Sequence, residues 1–502
     1  MNLRWLCVFW LWLAAGPPVA AERVATIATP ILPSTVINPY QGVTLPSIFS
    51  TLAVFDPLAV IGGDGRLRPR LAKSWTSDEA KVWRISLEPG VEFSNGRPVD
   101  AAAVVASVAH MQTKVGRAET IGASLVQIES IRAVSDLEVD VILKERDAMF
   151  PSRLALWKIP EPNGWPRALN DGIAAESRGS GPFMFAEVAD NRLVLVANPK
   201  ARHPPAVDRL VFIELPDQTA RMQAVLAGSA DLALQMGIEN RAPIEAGGGH
   251  FVPRRTNMLR YVAFAAEHFK GSPSPILKPE VRRALNYAVD KRAIIDGLLA
   301  GAVAPVAQLV FPGAPGHDPA LEPYPYDPDR ARRMLSEAGH GDGIDLTLRF
   351  AGSGSDDTSV VQQIVADLKR VGVAVTIRPA TQVQMTPLLF NAQLEAELFV
   401  NFVRGLDPLG DYRFRSCRGL TAGKPFFCSA ETLAAVDRAR GATSYDAAVE
   451  ALKGAIRSEY DDPPGIFLWD SPAFDGFGPR LPPPEGYGLD YDFLAADALA
   501  LK

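Results

Sequence analysis

The stretch KPEVRRALNYAVDKRAIIDGLLAG at residues 278–301, followed after an irregular arm by YPYDPDRARRMLSEAG at 324–339, carries the strongest periodicity in the chain. Val281, Ala284, Leu285, Ala288 and Val289 recur at i, i+3, i+4, i+7 and i+8, which predicts one helix with a single apolar face. Arg282, Arg283, Lys291 and Arg292 then fall on the side expected to face water. In the second segment Asp327 is placed as N-cap, Pro328 at the first helical position, Ala331, Leu335 and Ala338 inward, and Gly339 at the stop. Helices of this kind are scaffold, with no chemistry of their own.

Outward from that stretch, strand and helix periods alternate. RVATIAT (23–29) reads as a short strand, and residues 37–59 as a loop, a helix and a turn. From Gly62 to about Ser177 come the strand VWRISL, the turn SNGRP, a helix starting at Asp100 and the strand LEVDVILK (137–144), an α+β unit inserted into a first lobe. RLVLVAN (192–198), RLVFIEL (209–215) and DLALQM (231–236) return to that lobe around a helix whose shared face is Ala220, Ala224 and Val225. Beyond RYVAFAA (260–266), the run LTLRF, TSVVQQIVADLKRVG, VAVTI predicts two parallel strands with a right-handed crossover helix that buries Val361, Ile364, Val365, Leu368 and Val371. AELFVNFV (396–403), helices near 430–460 and IFLW (466–469) complete a second lobe, with hinge crossings near 253–265 and 465–478.

With 502 residues and 47% hydrophobic content, the chain can bury a large core divided over two or three units. At the N-terminus, Arg4 precedes the apolar run Trp5 to Ala15, then Gly16-Pro17-Pro18 and Val19-Ala20-Ala21. This reads as a secretory signal cut after Ala21, because about eleven apolar residues fall short of the roughly 20 that span a bilayer. Loss of Arg4 takes the formal charge from −6 to −7, spread without blocks, so neither nucleic acid nor an anionic membrane surface is indicated. Cys417 and Cys428 are then the only cysteines. An oxidising compartment would let them pair across CRGLTAGKPFFC, and the alternative is two buried thiols.

A secreted hydrolase of this length should show an assembled nucleophile, an acid–base pair or a metal motif. The chain has no GxSxG, HExxH or CxxC, and its histidines (110, 203, 250, 268, 317, 340) lack ligand spacing. GSGPF (179–183) precedes a strand and lacks the Lys-Ser/Thr of a phosphate loop, while Asp356-Asp357 and Asp461-Asp462 read as caps or solvated turns. No catalytic residue, cofactor or metal site is expected. What is left is a cleft between lobes, the commonest place for a small-molecule site.

Several blocks resemble one family in wording and in order: LRPRLAKSW (67–75), VWRISLEPGVEFSNGRPVDAAAVVASV (82–108), GSGPFMFAEV (179–188), RLVFIELPDQTARMQAVLAGSADLAL (209–234), and VRRALNYAVDKRAII followed by YDPDRARRMLSEAG. They are similar to the extracytoplasmic solute-binding proteins, family 5, that serve peptide, nickel and opine ABC importers. The resemblance implies an α/β, two-lobed periplasmic-binding-protein fold of type II, in the large class with an extra α+β subdomain in lobe one. The expected division is 1–21 signal peptide; 22–61, 178–255 and 474–502 lobe I; 62–177 the inserted subdomain; and 256–473 lobe II. It implies a monomeric periplasmic protein without enzymatic activity, partnered by the permease subunits of the inner membrane.

Peptide-binding members carry Trp-x-x-Asp before an Asp-Pro, the Asp holding the peptide's α-amine. Here the stretch is Asn401-Phe402-Val403-Arg404 followed by Gly405-Leu406-Asp407-Pro408. Arg404 cannot pair with an ammonium group; it suits a carboxylate, unless it faces solvent or pairs with Asp407. In nickel-chelate-binding members, arginines that meet ligand carboxylates lie where this chain has Arg117 and Lys158. Trp157 is placed either as a stacking surface or in the core, and Asn401, Phe402, Thr44 and Ser47 complete the candidate set. An acidic ligand, such as an opine, modified peptide or chelate, is therefore expected; the alternative is an ordinary oligopeptide.

Overall fold

The computed structural model describes residues 22–32, 37–41, 45–171, 174–256, 258–299, 301–351, 355–391, 393–404, 409, 412, 417, 425–471, 473–488 and 496–502. The first lobe is built on a seven-stranded sheet with Val24–Thr29 at its centre, flanked in parallel by Arg209–Glu214 and Leu232–Met236. Ala25, Ile27 and Ala28 are fully buried, as expected of a strand covered on both faces. His250–Arg254 and Ala473–Phe477 close one edge, and Arg192–Ala197 and Phe183–Ala189 the other, all antiparallel to their neighbours.

A four-stranded antiparallel sheet (Ala72–Asp78, Val82–Leu87, Glu138–Leu143, Ile128–Ser135) forms a second body, packed under the helix Ala101–Met111. That helix begins where Asp100 accepts the Ala103 amide at 2.9 Å. The second lobe has a five-stranded sheet in the order Val373–Pro379, Ile344–Phe350, Leu398–Arg404, Met258–Phe264, Gly465–Asp470. Its parallel pair, Ile344–Phe350 and Val373–Pro379, is linked by the helix Ser355–Arg370. The chain passes between the two large sheets twice, after Arg254 and after Asp470.

Across residues 278–301, the structure departs from a single helix. Pro279–Ala288 and Lys291–Leu298 are separate, because Val289 is extended and Asp290 caps the second helix by accepting the Ala293 amide at 3.0 Å. Two of the four residues expected to face water are buried instead. Arg282, 4% exposed, pairs with Asp462, donates to the Ile276 carbonyl at 2.6 Å and lies over the Phe427 ring. Lys291, 3% exposed, donates to the carbonyls of Asn286 at 2.8 Å and Tyr324 at 3.3 Å. Arg292 is exposed and Arg283 half-buried. The helix Gln218–Leu226 shows a similar reversal: its buried residues are Arg221 and Val225, and Ala220 is exposed. Among the described residues no helix is long and apolar enough to cross a membrane.

Candidate functional site

A cavity of about 720 Å³ lies between the two large sheets, against both crossings, which supply Thr256 and Met258 on one side and Ser471 and Ala473 on the other. One wall follows the carboxyl ends of the central parallel strands, at Pro30, Pro216 and Met236. In open α/β sheets that is where ligands bind, since the strands end in loops free to vary. The facing wall is mostly apolar, with Phe350, Val360, Val400 and Trp469, and carries Arg260. The size suits a small organic molecule.

Strand pairing decides which candidates share this wall. In the antiparallel register Arg404 opposes Met258, Phe402 opposes Arg260, Asn401 opposes Tyr261 and Val400 opposes Val262. Opposed residues share a face and alternate along the strand, so Phe402 lies on the face of Val400, Met258 and Arg260; it is 44% exposed. Asn401 lies on the other face, donating to the hydroxyl of fully buried Tyr261 at 3.0 Å. Asn401 and Phe402 therefore cannot both face the cavity, and Asn401 belongs to the sheet's packing. The side chains of Arg404 and Ser47, and all of Thr44, lie outside the described residues.

Trp157 is fully buried, and its indole N–H donates to the Ser107 hydroxyl at 2.8 Å. With no ring face exposed, it cannot stack on a ligand; it is a core residue. Its cluster includes Leu409 and Tyr412, which follow Arg404 in the second lobe, so this part of the first lobe adjoins the second. Lys158 is 5% exposed, and its backbone bridges to Pro57. Burial lowers its pKa to about 8, with no acidic group offsetting the effect. Arg117 is exposed at the end of the short helix Lys114–Ala118.

Two residues beyond Arg117, the structure reveals a cluster that sequence spacing did not indicate. Buried Glu119 meets His110 Nε2 at 2.9 Å and accepts Asn38 Nδ2 at 2.8 Å, and the Tyr40 ring stacks on His110. His110 lies nine residues before Glu119 and Asn38 lies 81 before it, so no local pattern could have joined them. Cys417 and Cys428 are joined by a disulfide, with Cα atoms 4.6 Å apart. Among the described residues no three His, Cys, Asp or Glu converge as a metal site would require.

Two large α/β sheets joined by two crossings, with a cavity at the joint, define a two-lobed binding protein of the periplasmic type. The model of the bacterial extracellular solute-binding proteins, family 5, matches residues 66–408, and the chain belongs to that family. It is 29% identical over 362 residues to the nickel-binding periplasmic protein of Escherichia coli K12, covering 68% of each chain. To a glutathione-binding protein of Pectobacterium atrosepticum it is 28% identical, covering 74% of this chain and 73% of the relative. Its fold matches the ABC transporter substrate-binding protein CtaP of Listeria monocytogenes at a TM-score of 0.82 and 19% identity, covering 96% and 99%. It also matches NikA of Brucella suis in complex with Fe(III)-EDTA at 0.79 and 22%, covering 96% and 100%. Proteins of this family are the solute-binding components of ABC importers, working with permeases to take up nickel, glutathione, haem, peptides and opines.

Proposed function

We propose that the cleft takes an acidic small molecule, an opine, modified peptide or chelate, and that Lys158 meets its carboxylate. The observation that carries this reading is a buried ammonium with no anionic partner among the described residues. An unpaired buried charge is costly, and a ligand carboxylate would remove the cost on binding. Arg404, at the end of the strand whose Val400 lines the cavity, is the second cation proposed for the acid, and exposed Arg117 the third. In this reading the chain has no catalytic activity, is released into the periplasm by cleavage after Ala21, acts as a monomer and presents its closed form to an inner-membrane permease. Closure is the signal, because contacts to both lobes set the closed population.

The test is calorimetric titration of the mature protein with two acids, glutathione and citrate. A hydrogen bond to a charged group contributes roughly 1.5–3 kcal/mol, so Lys158→Met should weaken the bound acid about 10- to 150-fold, and Arg404→Ala by a similar factor. Affinity should fall as pH rises through about 8, where the ammonium loses its proton. Binding should take up a proton near that pH, because the carboxylate raises the lysine's pKa. Equal affinity in wild type and Lys158→Met, with a flat pH profile, would overturn the reading. Tighter binding of a free-amine tripeptide than of either acid would favour the ordinary peptide binder.

A further inference from the structure

Gln235 lines the interlobe cavity with φ of 56°, a left-handed conformation that residues with a side chain rarely adopt. Glu79 and Ala80, which share the feature, occupy a hairpin turn and Glu395 lies outside any strand or helix, whereas Gln235 lies inside a strand, at a bulge. Leu232 and Ala233 pair with Phe477 and Gly476, and pairing then skips to Met236 opposite Phe474, so that Leu234 and Gln235 face Asp475 together. The ladder contact is replaced by side chains. The Asp475 carboxylate accepts the Gln235 amide N–H at 2.9 Å, and Arg221 Nη2 donates to the Gln235 carbonyl at 2.9 Å.

Both anchors are buried and held in turn. Asp475 is fully buried, pairs with Arg254 at 2.6 Å and accepts the Tyr487 hydroxyl at 2.8 Å. Arg221, 3% exposed, also donates to the carbonyls of Leu215 at 2.6 Å and Pro216 at 2.9 Å. An unfavourable backbone that so many charged groups fix serves to re-aim a side chain, as bulges beside binding sites do. The side-chain amide so aimed has no partner among the described residues.

We infer that Gln235 is a specificity-determining residue whose carboxamide pairs with an amide group of the ligand, and that Arg221 and Asp475 are its positioning residues. The inference rests on the acidic-ligand reading and narrows it to acids that also carry an amide. A carboxamide carries both a donor and an acceptor, so it can accept the N–H of a ligand amide or donate to its carbonyl, whereas a carboxylate can only accept and leaves the glutamine oxygen unpaired. A polar group aimed into a closing site discriminates against molecules that leave it unpaired.

The experiment titrates wild type, Gln235→Gly and Lys158→Met with amide-bearing acids (glutathione, γ-glutamylglycine, N-acetylglutamate) and amide-free acids (citrate, tricarballylate, 2-oxoglutarate), with Tm recorded for each variant. Glycine suits positive φ, so a purely architectural bulge predicts an equal or higher Tm for Gln235→Gly and unaltered binding. The inference predicts an equal or higher Tm together with loss of an at least tenfold preference for amide-bearing acids. Retention of that preference in Gln235→Gly, or its absence in wild type while Lys158→Met still weakens every acid, overturns the inference and leaves the Lys158 reading standing. Failure of all six acids to bind wild type overturns both.

Discussion

Lys158 and Lys291 are both lysines taken out of water, and they differ in the company of the ammonium. Lys291 has two backbone carbonyls as acceptors, and Lys158 has none among the described residues. The first is structural, tying the end of one helix to the arm at Tyr324; the second is the one proposed to meet a ligand. Burial lowers the Lys291 pKa to about 7, well below that of the unfolded chain. Between about pH 7 and 10 the unfolded chain therefore binds the proton that the folded chain gives up, and stability rises with pH at up to about 1.4 kcal/mol per unit. Urea unfolding at pH 7, 8 and 9 should show Lys291→Met losing that slope, the contribution of Lys158 being common to both proteins. Parallel profiles would contradict the assignment. Helical periodicity placed Lys291 and Arg282 towards water because it counts positions within one helix, while their partners Tyr324 and Asp462 lie 33 and 180 residues away. Gln235 carried no signal at all, since glutamine does not mark a left-handed backbone.

The elements themselves were far more legible. The parallel pair Ile344–Phe350 and Val373–Pro379 with its helix, the Asp100 and Asp327 caps, and the strands of the first lobe follow from local apolar spacing and cap chemistry. The break after Ala288 was not legible, because an Asp capping the next helix looks, within a run of helical spacing, like one more polar position. The Cys417–Cys428 crosslink belongs to this scale, as a clip on the segment between the Leu398–Arg404 strand and the helix Ala430–Gly441. It closes a short loop and by chain entropy should stabilise by about 2–3 kcal/mol. Thiol titration of the unfolded, unreduced mature chain should find no free thiol, and two per chain would contradict the pairing.

Over the whole molecule, the cavity sits where both crossings meet, so anything that fills it touches the segments whose φ and ψ set the lobe angle. The lobes also meet where the turn at Gly313, with φ of 81°, packs on the carbonyl of Asp64; a Cβ at Gly313 would lie 1.6 Å from that oxygen. Such contacts join residues hundreds of positions apart, beyond the reach of local periodicity. The family resemblance singled out Lys158, but its burial without a counter-charge could be read only from the fold. The most direct measurement is native mass spectrometry of protein released gently from the periplasm, with tandem identification of any small molecule that leaves with it. Wild type should carry a bound acid that is lost from Lys158→Met. A neutral or cationic adduct, or an acid retained in full by Lys158→Met, would contradict the proposed function.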